Sequence, residues 1–202
     1  MTMTNSAQPG SAPTDNGLPR ILVSACLLGQ PVRYDGGHKA VQHPVLQDWL
    51  AQGLVISSCP EAAGGLPTPR PAAEIVVSPP AHGSAGMAVL QGQARVLGTD
   101  GADVSAAFRS GAEQALALAR EHGIRLAVLK QSSPSCGSLD IYDGSFGGRR
   151  IAGQGVTAAL LSQAGIAIFD EQQWDEAMPA GSRSGTDRLK RPATLSKQLR
   201  IE

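Results

Sequence analysis

The chain has 202 residues, a formal net charge of zero, 42% hydrophobic residues and only 3% aromatics. That is the length of one domain with an aliphatic core, and the charge balance excludes a global electrostatic preference for nucleic acid or anionic membrane. No stretch approaches the roughly 20 apolar residues of a membrane span, and no apolar leader precedes Arg20. A cytoplasmic protein with reduced thiols is therefore expected.

Residues 1–18 are rich in Ser, Thr, Asn, Gly and Pro without apolar periodicity, and read as a disordered arm before a folded domain at 19–177. Residues 21–26 (ILVSAC) read as a buried strand ending at Cys26. Residues 43–51 (HPVLQDWLA) read as a helix, with Pro44 near its start and Gly53 past its end, and 54–57 (LVIS) as a second strand. A third strand is expected at 74–77, before Pro79-Pro80, and the loose alternation of 87–97 suggests a hairpin or edge strands. Residues 104–122 carry the strongest helical signal, with Asp103 to cap the start and Gly123 to end it. A strand at 126–129, a helix at 155–164 closed by Gly165, and a last strand at 166–169 complete the domain.

From 178 the chain reads as a flexible basic tail. Between 181 and 202 it holds six basic and two acidic residues, a local net charge of +4. A solvated tail is the plain reading, and a nucleic-acid contact is the sharper one. Aliphatic strands alternating with helices predict an α/β fold: a single domain with a mostly parallel, Rossmann-like sheet flanked by helices.

Three cysteines, Cys26, Cys59 and Cys136, all fall at or just past the carboxyl ends of predicted strands. That edge is where open parallel sheets bind ligands. Separations of 33 and 77 residues mean that only the fold can bring them together. Cys59 sits in Ser-Cys-Pro-Glu, and Cys136 in Ser-Ser-Pro-Ser-Cys-Gly-Ser. Such loops present backbone N–H groups that stabilise negative charge near an ion. The plain alternative is three unrelated buried thiols acting as small hydrophobes. Structural zinc takes four ligands at short spacings, and no CxxC occurs here. Of His38, His43, His82 and His122, His38 is the one candidate fourth ligand. Three thiolates on a four-iron cluster leave one iron open, as a Lewis-acid catalyst requires.

The same residues resemble the thiouracil desulfidase family. The stretches that carry the likeness are SACLLGQPVRYDGGHK (24–39), CPEAAGGLPTPRPAAEI (59–75), LKQSSPSCGSLDIYDGSF (129–146) and GQGVTAALL (153–161). Together they span about 21 to 171, and neither tail belongs to the pattern. The resemblance implies a 4Fe-4S cluster on Cys26, Cys59 and Cys136. It implies a small thiolated pyrimidine such as 4-thiouracil as substrate, with sulfur released as sulfide and water supplying oxygen without net redox change. Relatives with an additional domain act on 4-thiouridine in transfer RNA, so that activity remains an alternative, as does a non-enzymatic iron–sulfur sensor or RNA-binding module. A mononuclear zinc hydrolase with an open fourth position is a further one. The oligomeric state is not encoded in any feature of the sequence.

This chemistry needs proton transfer at the ring and at the attacking water. Glu61, two residues past Cys59, is the candidate acid/base, its plain alternative being a carboxylate favoured at a helix N-terminus. Ser133 and Ser135 flank Cys136 and can donate hydrogen bonds, or simply cap a turn. Arg33 and Tyr34 are candidates to border the substrate, with Asp35 and Asp143 fixing two aromatic–Asp–Gly turns. Lys39, Arg70 and Lys130 can face an anionic group or water, while His38, Gln131 and Ser132 carry no functional expectation.

Overall fold

The computed structural model describes residues 18–77 and 84–177. In chain order it contains β1 (Ile21–Ser24), a 3-10 turn (Ala25–Leu28), α1 (Pro44–Ala51), β2 (Val55–Ser58), α2 (Pro60–Ala63), β3 (Ala73–Val77) and α3 (Ala85–Leu90). It continues with β4 (Ala94–Gly98), α4 (Ser105–Glu121), β5 (Leu126–Leu129), β6 (Asp140–Tyr142), β7 (Arg150–Ala152), α5 (Val156–Gln163) and β8 (Ala167–Asp170). The arm at 1–18 (apart from Leu18), Pro79-Pro80, His82 and the basic tail at 178–202 lie outside the described residues.

Strands β1, β2, β5 and β8 form a four-stranded, wholly parallel sheet in the order β2-β1-β5-β8. Alternating side chains explain why such short aliphatic strands are stable at its centre. Leu22, Ala127 and Leu129 point to one face and meet Leu116 and Ala119 of α4 and Ala158 and Leu161 of α5. Ile21, Val23 and Val128 point to the other and meet Leu46 and Trp49 of α1, closed by Trp174. The expected α/β fold with a parallel sheet between helices is what the chain adopts. From β1 the chain winds outward to β2, and from β5 outward to β8 in the opposite direction. A crevice therefore opens at the carboxyl ends of β1 and β5.

Two local expectations are corrected, and the partner of β3 is defined. Residues 87–97 are not a hairpin: Ser84 Oγ accepts the Met87 N–H at 3.3 Å and starts α3, and only Ala94–Gly98 is a strand. Burial decides this, since Ala85, Ala88 and Val89 of α3 pack against β4, α4 and Val156. Strand β3 does not join the parallel sheet but pairs antiparallel with β4. Cys26 does not end a strand, because the backbone turns at Ala25 into the 3-10 turn that holds it. At α4, Asp103 Oδ1 accepts the Ser105 N–H at 3.0 Å, so the expected capping carboxylate acts at the first turn.

The four-residue α2 lies against α4 at glycine contacts. A Cβ on Gly111 would sit 1.9 Å from the Pro60 carbonyl oxygen, and one on Gly64 would sit 2.1 Å from that of Ala107. The obstacles are backbone atoms that cannot rotate away. Gly111→Ala is expected to cost about 1–3 kcal/mol, read as a lower urea midpoint with an unchanged slope. An unchanged midpoint would show that α2 is free to move off α4.

Candidate active site

The sheet's carboxyl edge carries a cavity of about 580 Å³, inside the roughly 300–1,000 Å³ range of small-ligand sites. All three cysteines line it. Cys26 comes from the turn after β1, and Cys59 follows β2 as the residue preceding α2. Cys136 lies in the loop after β5, where the Gly137 N–H donates to the Ser133 carbonyl at 2.9 Å. No disulfide links them. Cys26 packs on the α1 side of the sheet and Cys136 on the α5 side, so the cavity straddles the sheet's end.

The thiols resist ionisation as they stand. Burial, reinforced by Cys59, pushes the Cys26 thiol up to about 11, against the opposing pull of Arg33 and Lys130. Burial also raises Cys59, with Glu61 adding to it. Cys136 is raised furthest, again by burial first, then by the neighbouring thiols and Glu61. Three thiolates here require positive charge brought between them, and a bound metal centre supplies it. Among the described residues no three His, Cys, Asp or Glu side chains converge on a point that one ion could occupy. Three thiols lining one cavity can hold three corners of a polynuclear cluster. His38 does not line this cavity; its Nδ1 accepts the Ala40 N–H at 3.2 Å.

Glu61 and Ser133 also line the cavity and are joined there. The Ser133 hydroxyl donates to Glu61 Oε1 at 3.2 Å, and its oxygen accepts the N–H groups of Ser135 at 3.0 Å and Cys136 at 3.1 Å. One hydroxyl thus couples the candidate acid/base to the loop holding the third cysteine. Glu61 Oε2 accepts from Arg70 Nε at 3.0 Å and Nη2 at 2.7 Å. Arg70 is itself fixed by the carbonyls of Pro67 at 3.0 Å and Val32 at 3.1 Å. Both side chains are largely buried, at 6% exposure for Arg70 and 16% for Glu61. The fork-shaped guanidinium therefore presents the other carboxylate oxygen to Ser133. Arg70 was one of three undistinguished basic candidates in the sequence. Only its partner, nine residues away across a proline-rich turn, singles it out.

Ser135 is not brought to the cavity. It is 1% exposed, and its hydroxyl is hydrogen-bonded to that of Thr157 at 2.9 Å. Arg33, Tyr34, Lys39 and Lys130 all border the cavity. Arg33 is paired with Asp35 at 3.2 Å, and its guanidinium lies 5.5 Å from the Tyr34 ring centroid. The Arg33 hydrogen bond, then the Gly37 N–H, hold the Asp35 carboxyl below its usual range. Lys130 is paired with Glu171. Gln131, which carried no expectation, organises the loop: its Oε1 accepts the N–H groups of Ser132 at 3.1 Å, Ser138 at 2.9 Å and Leu139 at 3.3 Å. No helix among the described residues is long and apolar enough to cross a membrane.

A solved structure shares this arrangement of elements. The chain is 48% identical to a solved structure described as the 4Fe-4S-dependent thiouracil desulfidase TudS, with a TM-score of 0.69 over 79% of this chain and 95% of that one. It is 40% identical over 158 residues to the uncharacterized protein YbbK of Bacillus subtilis (strain 168), covering 78% of this chain and 99% of that protein. The sequence pattern of 2-thiouracil desulfurase matches residues 21–173, from the first residue of β1 to just past β8. Every element that delivers a cysteine, Glu61 or Ser133 to the cavity lies within that match, and the chain belongs to the 2-thiouracil desulfurase family.

Proposed function

We propose that this chain is a 4Fe-4S-dependent thiouracil desulfidase that converts the C=S group of a thiolated pyrimidine to C=O, with water as the oxygen source. The observation that carries the reading is the meeting of Cys26, Cys59, Cys136, Glu61 and Ser133 around one cavity, in a chain of this family. In it the three cysteines hold the cluster. When bound, that group supplies an open, sulfur-seeking iron that polarises the C=S bond and accepts the departing sulfur.

The rest is done by the chain's own residues. Glu61 takes a proton from the attacking water at Oε1 and returns it to the product side. Arg70 holds that carboxylate in one orientation through Oε2, and the Ser133 hydroxyl, donating to Oε1, fixes the other oxygen at the cavity. Ser135 supports Ser133 through its N–H and stays anchored to Thr157. Arg33 and Tyr34 border the substrate. Water adds its oxygen to the ring carbon, sulfur leaves as sulfide, and no electrons are gained or lost overall. The cavity suits one pyrimidine beside a cluster, which favours a free base or nucleotide over transfer RNA. The basic tail, on which the RNA-binding alternative rests, lies outside the described residues.

The family is described by a substrate with sulfur at C2, whereas the resemblance implies 4-thiouracil, with sulfur at C4, or a related thiolated pyrimidine. Protein reconstituted without air is expected to carry about four irons per chain and to release sulfide and uracil from at least one of 2-thiouracil and 4-thiouracil. A full cluster with no sulfide from either base would overturn the substrate assignment.

A further inference from the structure

A chain with so few aromatic residues places both of its tyrosines, Tyr34 and Tyr142, and one of its three phenylalanines, Phe146, around the same cavity. The three are not equivalent. One face of Tyr34 is taken by the Arg33 guanidinium. Tyr142 is held within the β6–β7 pair, opposite Arg150. Among the described residues no ring or guanidinium stacks on Phe146, which is 40% exposed at the cavity's rim.

Its backbone is held in an unfavourable shape. Phe146 has φ +58°, a left-handed conformation that a bulky residue rarely adopts. Such strain persists only where the surroundings over-determine it. Here the determinant is Glu74 of β3, a carboxylate only 8% exposed. Its Oε2 accepts the N–H of Gly144 at 2.9 Å and that of Phe146 at 3.0 Å. Gly144 lies so close to β3 that a Cβ there would be 2.6 Å from the Ile75 carbonyl oxygen. Asp143 closes the loop by accepting the Ser145 N–H at 3.0 Å and hydroxyl at 2.6 Å. A buried carboxylate thus fixes a glycine-rich loop whose one aromatic side chain stands at the cavity.

We infer that Phe146 is a stacking wall for the flat ring of the substrate, and that Glu74 is the positioning residue that presents it. The inference rests on the proposed pyrimidine substrate and names the residue that grips its face. Every pyrimidine has a π-face, so the contact serves binding rather than the choice of reacting atom.

Phe146→Ala is expected to raise KM for the thiolated base about tenfold or more, with kcat changed less than about threefold and iron content unchanged. Phe146→Tyr is expected to restore KM. Glu74→Ala is expected to raise KM in the same direction, and the Phe146→Ala/Glu74→Ala double variant to be no worse than Phe146→Ala alone. A general loss of structure would instead add to the Phe146→Ala effect. Calorimetric binding of uracil reads the same contact without turnover: Phe146→Ala is expected to weaken it by a similar factor. An unchanged KM and unchanged uracil affinity in Phe146→Ala overturns the inference, and so does a wild-type protein that binds no uracil. Wild-type protein that binds uracil in a Phe146-dependent way but releases no sulfide overturns the desulfidase reading and leaves the stacking wall standing.

Discussion

Single replacement of Cys26, Cys59 or Cys136 by alanine is expected to abolish the brown chromophore of anaerobically reconstituted protein and to reduce sulfide release to background. The three thiols enter one cavity from the ends of three separate strands, so none has a neighbour that can take its place. Two thiolates on a four-iron cluster leave two corners unheld, and exchange with solvent thiols then strips it. The fold is not expected to fail with the cluster. Cys26 and Cys59 are half-buried in turns, and Cys136, at 6% exposure, loses only one sulfur from the edge of an aliphatic cluster. Iron and sulfide per chain, read beside far-ultraviolet circular dichroism, separate the two effects. A folded variant that keeps about four irons per chain and turns over would remove that cysteine from the ligand set.

The second large effect is expected at Glu61, and there the choice of substitution matters. Glu61→Gln keeps the volume and an acceptor for Arg70 but cannot shuttle a proton. It is expected to lower kcat by about a hundredfold to ten-thousandfold while the cluster remains intact. Glu61→Ala is expected to suppress turnover as strongly, and in addition to strip a buried guanidinium of its partner. Breaking a buried pair from one side costs about 3–5 kcal/mol; both variants lose the charge, but Glu61→Gln keeps an acceptor for Arg70, so its melting temperature should fall less than that of Glu61→Ala. Ser133→Ala removes the acceptor shared by the Ser135 and Cys136 N–H groups, each an exposed need worth roughly 1–3 kcal/mol when buried and unmet. It is expected to lower both kcat and cluster retention. A Glu61→Gln protein with wild-type kcat would retire the acid/base role. It would leave the carboxylate as a structural partner of Arg70.

The carboxylate network also explains what could be read in the chain and what could not. The aliphatic runs that became β1, β2, β5 and β8 were legible because strands buried on both faces are nearly all apolar, and glycines or prolines bound them. The place of the cysteines followed from those strands, since Cys26 and Cys59 lie within two residues of a strand's carboxyl end and Cys136 lies in the loop that leaves β5. Helices α4 and α5 were legible from Ala- and Leu-rich runs closed by glycine. Segment 87–97 was not, because its alternation fits two periods equally. The burial of Ala85, Ala88 and Val89 chose between them.

Within the site, sequence determined which groups are available, and tertiary structure decided which of them meet. Ser133 and Ser135 stand two residues apart in one loop and look alike as letters. Ser133 faces Glu61 because the turn after β5 aims it at α2, whereas Ser135 is drawn under α5, where its carbonyl accepts the Thr157 N–H at 2.9 Å and the Ala158 N–H at 3.1 Å. Arg70 and Phe146 acquired their places from Glu61 and Glu74, through hydrogen bonds that no local period records. Periodicity encodes which face of an element is buried. The direction of a polar side chain at a sheet's edge is set by partners far away in the chain, and those exist only once the sheet has formed.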